Sequence, residues 1–165
     1  MILRCILLGI MKKIFALLLA FLPLAAMAQR GPEEQKRVEV QTTLSEFIAA
    51  FDNLDWEKFR NAFADDATVF YPREFPRRAV GRAEFEKTFK RVFEQIRAGR
   101  STPPFMDIQP HEMEIRIFGD VAIATFHLDD KPNFVNRRTI VLRNTSGGWK
   151  IIHLHASEVQ TDAKP

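Results

Sequence analysis

The stretch EMEIRIFGDVAIATFHL, residues 112–128, decides the fold class. From Met113 to Ile117, apolar residues alternate with charged ones, a period of two that is typical of a strand with one buried face. Gly119-Asp120 then supplies a two-residue hairpin turn. The apolar run from Val121 to Leu128 predicts the returning strand of an antiparallel hairpin. Two more strands, each after a short turn, extend the hairpin into a meander: residues 134–143 and 149–158.

Three helices are predicted before this meander. The first covers residues 33–53, where apolar residues are spaced three and four apart. The second is short and follows Asp55, a favourable N-cap. A short strand at residues 67–71 separates it from the third helix, which begins after Gly81 and ends at Gly99. Helices that come in one block before the strands indicate an α+β fold, with three helices packed on a curved, mainly antiparallel sheet that forms a cone.

The charge of the chain excludes one large class of functions. Its 165 residues contain 24 Lys and Arg against 21 Asp and Glu. The excess comes from the first 28 residues, which hold Arg4, Lys12 and Lys13 and no acidic residue. The remainder is neutral and lacks the overall positive field that attracts nucleic acid, so we expect no nucleic-acid partner.

The amino terminus has the pattern of a secretory signal. Lys12 and Lys13 precede an apolar run at residues 14–26, and Ala26-Met27-Ala28 fits a small-x-small cleavage site. Residues 1–28 are therefore predicted to be a signal peptide, with Met11 as an alternative start. A retained membrane anchor is the other interpretation, although the run is shorter than the ~20 residues of a spanning helix.

Removal of this segment would leave a linker at residues 29–36 and one domain at residues 37–160. The single cysteine, Cys5, lies in the removed part, so the mature chain is expected to form no disulfide. A chain of this kind suits the bacterial periplasm, and we expect a secreted protein without stable membrane insertion after cleavage.

Two further stretches resemble a known family. FIAAFDNLD at residues 47–55, followed by FADDA at residues 63–67, resembles the opening of the nuclear transport factor 2-like superfamily, and GWKIIHLHAS at residues 148–157 resembles its close. The chain is most similar to the SnoaL-like branch, which also resembles ketosteroid isomerases and the association domain of calcium/calmodulin-dependent kinase. The resemblance implies a cystatin-like cone and a homodimer. It does not imply one chemistry, because the superfamily includes isomerases, dehydratases, cyclases and binding modules.

Four residues are candidates for a ligand site at the mouth of the cone. Tyr71, the only tyrosine, can donate a hydrogen bond to an oxyanion, or it can be an ordinary core residue. His127 and Arg138 are expected to be near neighbours across a hairpin. The resemblance implies that they match basic pocket residues of the kinase association domain, where the pocket accepts a small carboxylate. A solvated strand-end charge is the alternative for Arg138, and His155 is the fourth candidate.

His153 and His155 share one face of the last strand and could approach a metal together. A zinc site needs three or four ligands, and no third ligand is evident, so we predict neither metal nor cofactor. A histidine base, His127 or His155, would suit a dehydratase-like reaction. Asp65-Asp66, which is expected to end the second helix, is a poor candidate for the carboxylate base of an isomerase.

These observations favour an exported protein that binds a small apolar or anionic ligand, with or without lyase or isomerase activity. A non-catalytic homodimeric module that holds a partner protein on its sheet is the alternative. A metal-binding protein that uses His153 and His155 is a third, weaker interpretation.

Overall fold

The computed structural model describes residues 31–71, 77–131 and 133–161. The chain divides into two units, Met1–Gln35 and Lys36–Pro165; of the first, the described part is residues 31–35, where the first helix begins. The helices are α1 (Pro32–Asp52), α2 (Trp56–Asn61) and α3 (Arg82–Gly99). The strands are β1 (Phe63–Phe70), β2 (Ala79–Val80), β3 (Pro110–Phe118), β4 (Val121–Lys131), β5 (Phe134–Thr145) and β6 (Gly148–Gln160).

The strands form one six-stranded sheet in the order β2-β1-β6-β5-β4-β3. Strands β3 to β6 are the predicted meander, and each pairs antiparallel with the next. Strand β1 returns to the sheet beside β6 and runs parallel to it, while the short β2 pairs antiparallel with β1. The predicted fold class is confirmed: three helices accompany a mixed, mostly antiparallel open sheet.

Helix α1 begins at Pro32, one residue before its predicted start at residue 33, and so overlaps the residues also assigned to the linker, 29–36. Proline suits the first helical position, where its missing N–H has no partner to lose, and the carboxylates of Glu33 and Glu34 stabilise the positive end of the helix. The expectation that Asp65-Asp66 ends the second helix is wrong, because both lie exposed inside β1.

The predicted signal peptide and cleavage site lie outside the described residues. Within the described part of the chain, no helix combines the length and apolar character that crossing a bilayer requires.

The core is built around aromatic rings. Phe59 of α2 is fully buried, and its ring centroid lies 4.6 Å from that of Phe89 and 5.0 Å from that of Phe93, both on α3. Phe47 of α1 stacks on Phe59 at 5.3 Å. Phenylalanines from all three helices therefore meet around one ring.

The sheet has an inner face, which contributes to this core, and an outer face. On β4 the inner residues are Ala122, Ala124, Phe126 and Leu128, all buried. A bulge in β6, between its pairings at Ile151 and His153, leaves both Ile151 and Leu154 buried. His153 and His155, on either side of Leu154, lie on the outer face. The alternation of faces decides which candidate residues can share a site.

Candidate functional site

A cavity of about 320 Å³ lies between α1 and the inner face of the sheet. Its apolar walls come from α1, through Phe47, Ile48 and Phe51, and from the sheet, through Phe126 and Ile140 among others. Phe47, Ile48 and Phe51 fall on one side of the helix because a turn takes 3.6 residues. This volume is at the lower end of the ~300–1,000 Å³ found for small-molecule pockets.

Arg138 is the cationic group in the cavity wall. It lies on β5 directly opposite Phe126 of β4, so both residues are on the inner face. The side chain is half-buried, and its Nη1 donates to the carbonyl oxygen of Arg137 at 3.0 Å. A guanidinium in low-dielectric surroundings binds a carboxylate more strongly than it would on the surface.

The segment before β3 forms the opposite rim of the cavity. Met106, Asp107, Ile108 and Gln109 line it, and His111, which lies in β3 opposite His127, borders the cavity as well. Within this rim, Gln109 Nε2 donates to Asp107 Oδ1 at 3.1 Å. The cavity therefore combines apolar walls with one cation, one carboxylate and one amide, which is a usual composition for a site that orients a small ligand.

The rim residues Asp107, Gln109 and His111 were not among the sequence-based candidates. They lie between Pro103-Pro104 and the regular alternation of β3, in a stretch with no periodicity. Its boundary prolines are the only sequence signal there, and they mark an irregular connection rather than a cavity wall.

His127 does not share this cavity, and the expectation that it pairs with Arg138 is wrong. His127 lies opposite Arg137, one position away from the Phe126–Arg138 pair, and so belongs to the outer face. There its Nδ1 lies 3.1 Å from Glu112 Oε2. His127 and Glu112 border a separate shallow depression with His111 and Val135.

His155 is likewise on the outer face and exposed, so it does not converge with Arg138. Its ring centroid is 5.5 Å from that of Phe70, and the ring of His153 lies 5.9 Å from the same phenylalanine. His153 Nδ1 forms a hydrogen bond of 2.7 Å with Thr68 Oγ1. Partial burial, together with the charges of His155 and Arg78, lowers the pKa of His153.

Among the described residues, no group of three or more His, Cys, Asp or Glu is placed to hold a metal ion.

Tyr71 follows β1 and packs against α3, with its ring 5.3 Å from that of Phe89. Burial raises the pKa of Tyr71 to about 12; the hydrogen bond with Thr88 opposes this shift, and the charge of Glu84 adds to it. Tyr71 is not one of the described residues that line the cavity. Of the four sequence-based candidates, the structure thus places Arg138 alone in the cavity wall.

A second concavity, an open groove of about 740 Å³, lies between α1, α2 and the turn before β6. Charged side chains border it, Glu46, Asp55, Lys58 and Lys150. Three of these are engaged locally: Lys58 contacts Asp55 at 3.1 Å, and Lys150 Nζ donates to the carbonyl oxygen of Asn61 at 2.7 Å. The smaller cavity, with its apolar walls and its converging polar groups, is the better ligand site.

Comparison of the chain with known proteins identifies the family of its domain. A family model described as SnoaL-like domain matches residues 40–161. Comparison with curated protein sequences gives no match.

Solved structures similar to this chain share its fold. An NTF2-like protein of unknown function from Pseudomonas putida KT2440 is 20% identical with a TM-score of 0.66, and the match covers 82% of this chain and 100% of that one. A proposed ketosteroid isomerase from Parabacteroides distasonis is 21% identical with a TM-score of 0.55, covering 73% and 85%. The CaMKII hub of S. rosetta is 24% identical with a TM-score of 0.56, covering 79% and 98%.

Proposed function

The chain belongs to the SnoaL-like domain family, and from that premise we propose that it is an exported protein that binds a small amphiphilic anion. The cavity between α1 and the sheet would hold the apolar body of the ligand, and Arg138 would bind its carboxylate or a similar anionic group. The observation that carries the proposal is the position of Arg138 on the inner face of the sheet, in the wall of an otherwise mainly apolar cavity.

The size of the cavity limits the ligand. About 320 Å³ accommodates a medium-chain acid or a small ring system rather than a large cofactor. Phe47, Phe51 and Phe126 give the walls aromatic surface, which favours apolar contact along the ligand body. Arg138 would then bind the anionic head of the ligand, since a guanidinium group can bind a carboxylate with two parallel hydrogen bonds.

Proton transfer is a second candidate function, and one observation supports it. Asp107 lines the same cavity as Arg138, so a carboxylate base could lie near a bound carbonyl compound. Under this proposal the protein would catalyse deuterium exchange next to the carbonyl of a bound keto acid. Asp107→Asn would abolish the exchange, whereas Asp66→Asn, at an exposed position of β1 outside the cavity, would not.

We also propose that the outer face of the sheet pairs with a second copy of the chain. Phe70, Phe118 and Val159 are exposed there at 39%, 50% and 37%. The half-buried side chains of Ile123, Val135 and Val141 lie on the same face, so a second copy would cover apolar surface there. A non-catalytic interaction module would use the same face to bind a different protein. The oligomeric state of the purified protein distinguishes the two possibilities, because only self-pairing gives a dimer in the absence of a partner.

The ligand proposal is tested by competition against anilinonaphthalene sulfonate, a fluorescent apolar anion. Decanoate and decanol are the matched competitors, since they differ in charge and hardly in apolar surface. We expect decanoate to displace the probe at a concentration at least about tenfold lower than decanol, because a hydrogen bond to a charged group contributes about 1.5–3 kcal/mol. Equal displacement by the two, or no binding of the probe, would overturn the proposal.

A further inference from the structure

We propose that Asp52 is a positioning residue of the cavity. It holds the rim segment, residues 105–109, against the end of α1 and thereby sets the width of the cavity and the length of ligand that it accepts. The effect on ligand selectivity rests on the proposed function. The contacts by which Asp52 positions the rim segment do not depend on it.

The contacts of Asp52 with the rim are specific. Asp52 Oδ1 accepts hydrogen bonds from the backbone N–H of Met106 at 3.2 Å and of Ile108 at 3.4 Å. The carbonyl oxygen of Asp52 accepts a third, from the N–H of Phe105 at 2.8 Å. One residue at the end of α1 thus binds three backbone donors of the same short segment.

Asp52 joins two walls that both line the cavity. Phe51, its neighbour on α1, is in one wall, while Met106 and Ile108 are in the other. Asp52 itself is not among the described residues lining the cavity, so its carboxylate acts on the ligand through the rim. A small shift of the rim would change the space between Phe51 and Ile108.

The backbone conformation between the two bonded amides explains why one oxygen can accept both. Asp107 has a positive φ of 57°, a conformation that is uncommon outside glycine. This turn brings the N–H groups of Met106 and Ile108 towards the same side. Such a conformation persists when surrounding contacts hold it, and the Asp52 carboxylate supplies two of those contacts.

The chemistry of Asp52 provides a matched pair of substitutions. Asp52→Asn removes the charge but keeps an oxygen that can accept both hydrogen bonds. Asp52→Ala removes the acceptor as well and leaves the main-chain bond from Phe105 in place. Asn53→Ala is the control, because the Asn53 side chain bonds to the carbonyl oxygen of Ala49 within α1 and not to the rim.

The first measurement is amide hydrogen exchange of Met106 and Ile108, which needs no ligand. We expect both amides to be protected in the wild-type protein, protected in Asp52→Asn and Asn53→Ala, and at least about tenfold faster to exchange in Asp52→Ala. Rapid exchange in the wild type would overturn the proposal even if Asp52→Ala failed to fold. Undiminished protection of both amides in Asp52→Ala would also overturn it, because the carboxylate would then not hold the segment.

The second measurement is the affinity for a series of acids from hexanoate to dodecanoate. We expect the wild type and Asp52→Asn to share one preferred length, and Asp52→Ala to bind that acid roughly tenfold more weakly, with a flatter preference. Unchanged selectivity in Asp52→Ala would refute the positioning role. If the wild type binds none of these acids, the proposed function fails, whereas the exchange measurement still decides whether Asp52 holds the rim.

Discussion

His127 and Arg138 lie on opposite faces of the β4–β5 hairpin, because Arg138 stands opposite Phe126 while His127 stands opposite Arg137. The two residues are offset by a single position in the pairing of β4 with β5. Side chains alternate between the two faces of a strand, so a shift of one residue moves a side chain from the cavity to the opposite surface. An anion in the cavity would therefore meet Arg138, and His127 would have no part in its binding.

The first prediction compares two neighbouring arginines on one strand. Arg138→Ala should weaken decanoate binding by roughly tenfold or more and leave decanol binding unchanged, because the lost contact is to the charged head. Arg137→Ala, on the outer face, should leave both unchanged. Competition with the fluorescent probe measures all four affinities. Equal effects of the two substitutions on decanoate would contradict the assignment of Arg138 to the cavity.

The register error shows what periodicity in the sequence can and cannot supply. Alternation predicts that Phe126 and Leu128 share a face, and Gly119-Asp120 predicts the β3–β4 turn, both as found. The β4–β5 pairing depends instead on how many residues the next turn takes up. Strands β4 and β5 extend to Lys131 and Phe134, and an irregularity in pairing follows Leu128. The composition of residues 129–133 does not determine that offset.

The rim of the cavity was beyond sequence reasoning for a different reason. The rim is positioned by the Asp52 carboxylate and carbonyl, which bind the backbone of residues 105–108. These contacts join residues more than fifty positions apart. No local spacing predicts such a contact, whereas the helices and the meander follow from spacing alone.

The second prediction concerns the centre of the core. Phe59 is fully buried, and its ring lies between 4.6 and 6.2 Å from six other aromatic rings. Phe59→Ala should lower the free energy of unfolding by about 3–5 kcal/mol, because it leaves a cavity that the surrounding rings cannot fill. Val38→Ala, at an exposed position of α1, should change it by no more than about 0.5 kcal/mol. Urea unfolding of both variants measures this, and similar losses would contradict the central role of Phe59.

The third prediction tests pairing of the outer face. Val141 is half-buried on β5 and lies opposite Ile123 and His153, near the middle of the sheet. Val141→Arg should convert a dimer to a monomer, because it places a charge in an apolar interface without a partner. Gln95→Arg, on an exposed position of α3, should not. Light scattering at micromolar concentration gives the masses, and a monomeric wild type would contradict the proposed dimer.

The fourth prediction tests export. In its native cell the protein should be found outside the cytoplasm with Gln29 as its first residue. Ala28→Leu should block processing, since the cleavage site requires a small residue there, whereas Ala20→Leu, within the apolar run, should permit it. Intact-mass measurement of each purified chain identifies the amino terminus. A wild-type chain that retains residues 1–28 in the cytoplasm would contradict export.

The fifth prediction uses Tyr71, whose ionisation can be followed without interference because the chain has no other tyrosine. Burial raises the pKa of Tyr71 to about 12, and the charge of Glu84 contributes to the rise. The native state therefore keeps the phenol proton where the unfolded chain, with an ordinary pKa near 10, has lost it. The unfolded state binds fewer protons in that range, so stability should fall as the pH rises from about 10 to about 12.

Near-ultraviolet absorbance during an alkaline titration measures the ionisation of Tyr71 directly. In urea the midpoint should lie near 10, and in native buffer near 12. Thr88→Val should raise the native midpoint further, because the hydrogen bond with Thr88 opposes the effect of burial. Tyr71→Phe should remove the signal and make unfolding free energy less dependent on pH above about 10. A native midpoint equal to that in urea would show that the hydroxyl reaches solvent, and Tyr71 would then again be a candidate for contact with a ligand.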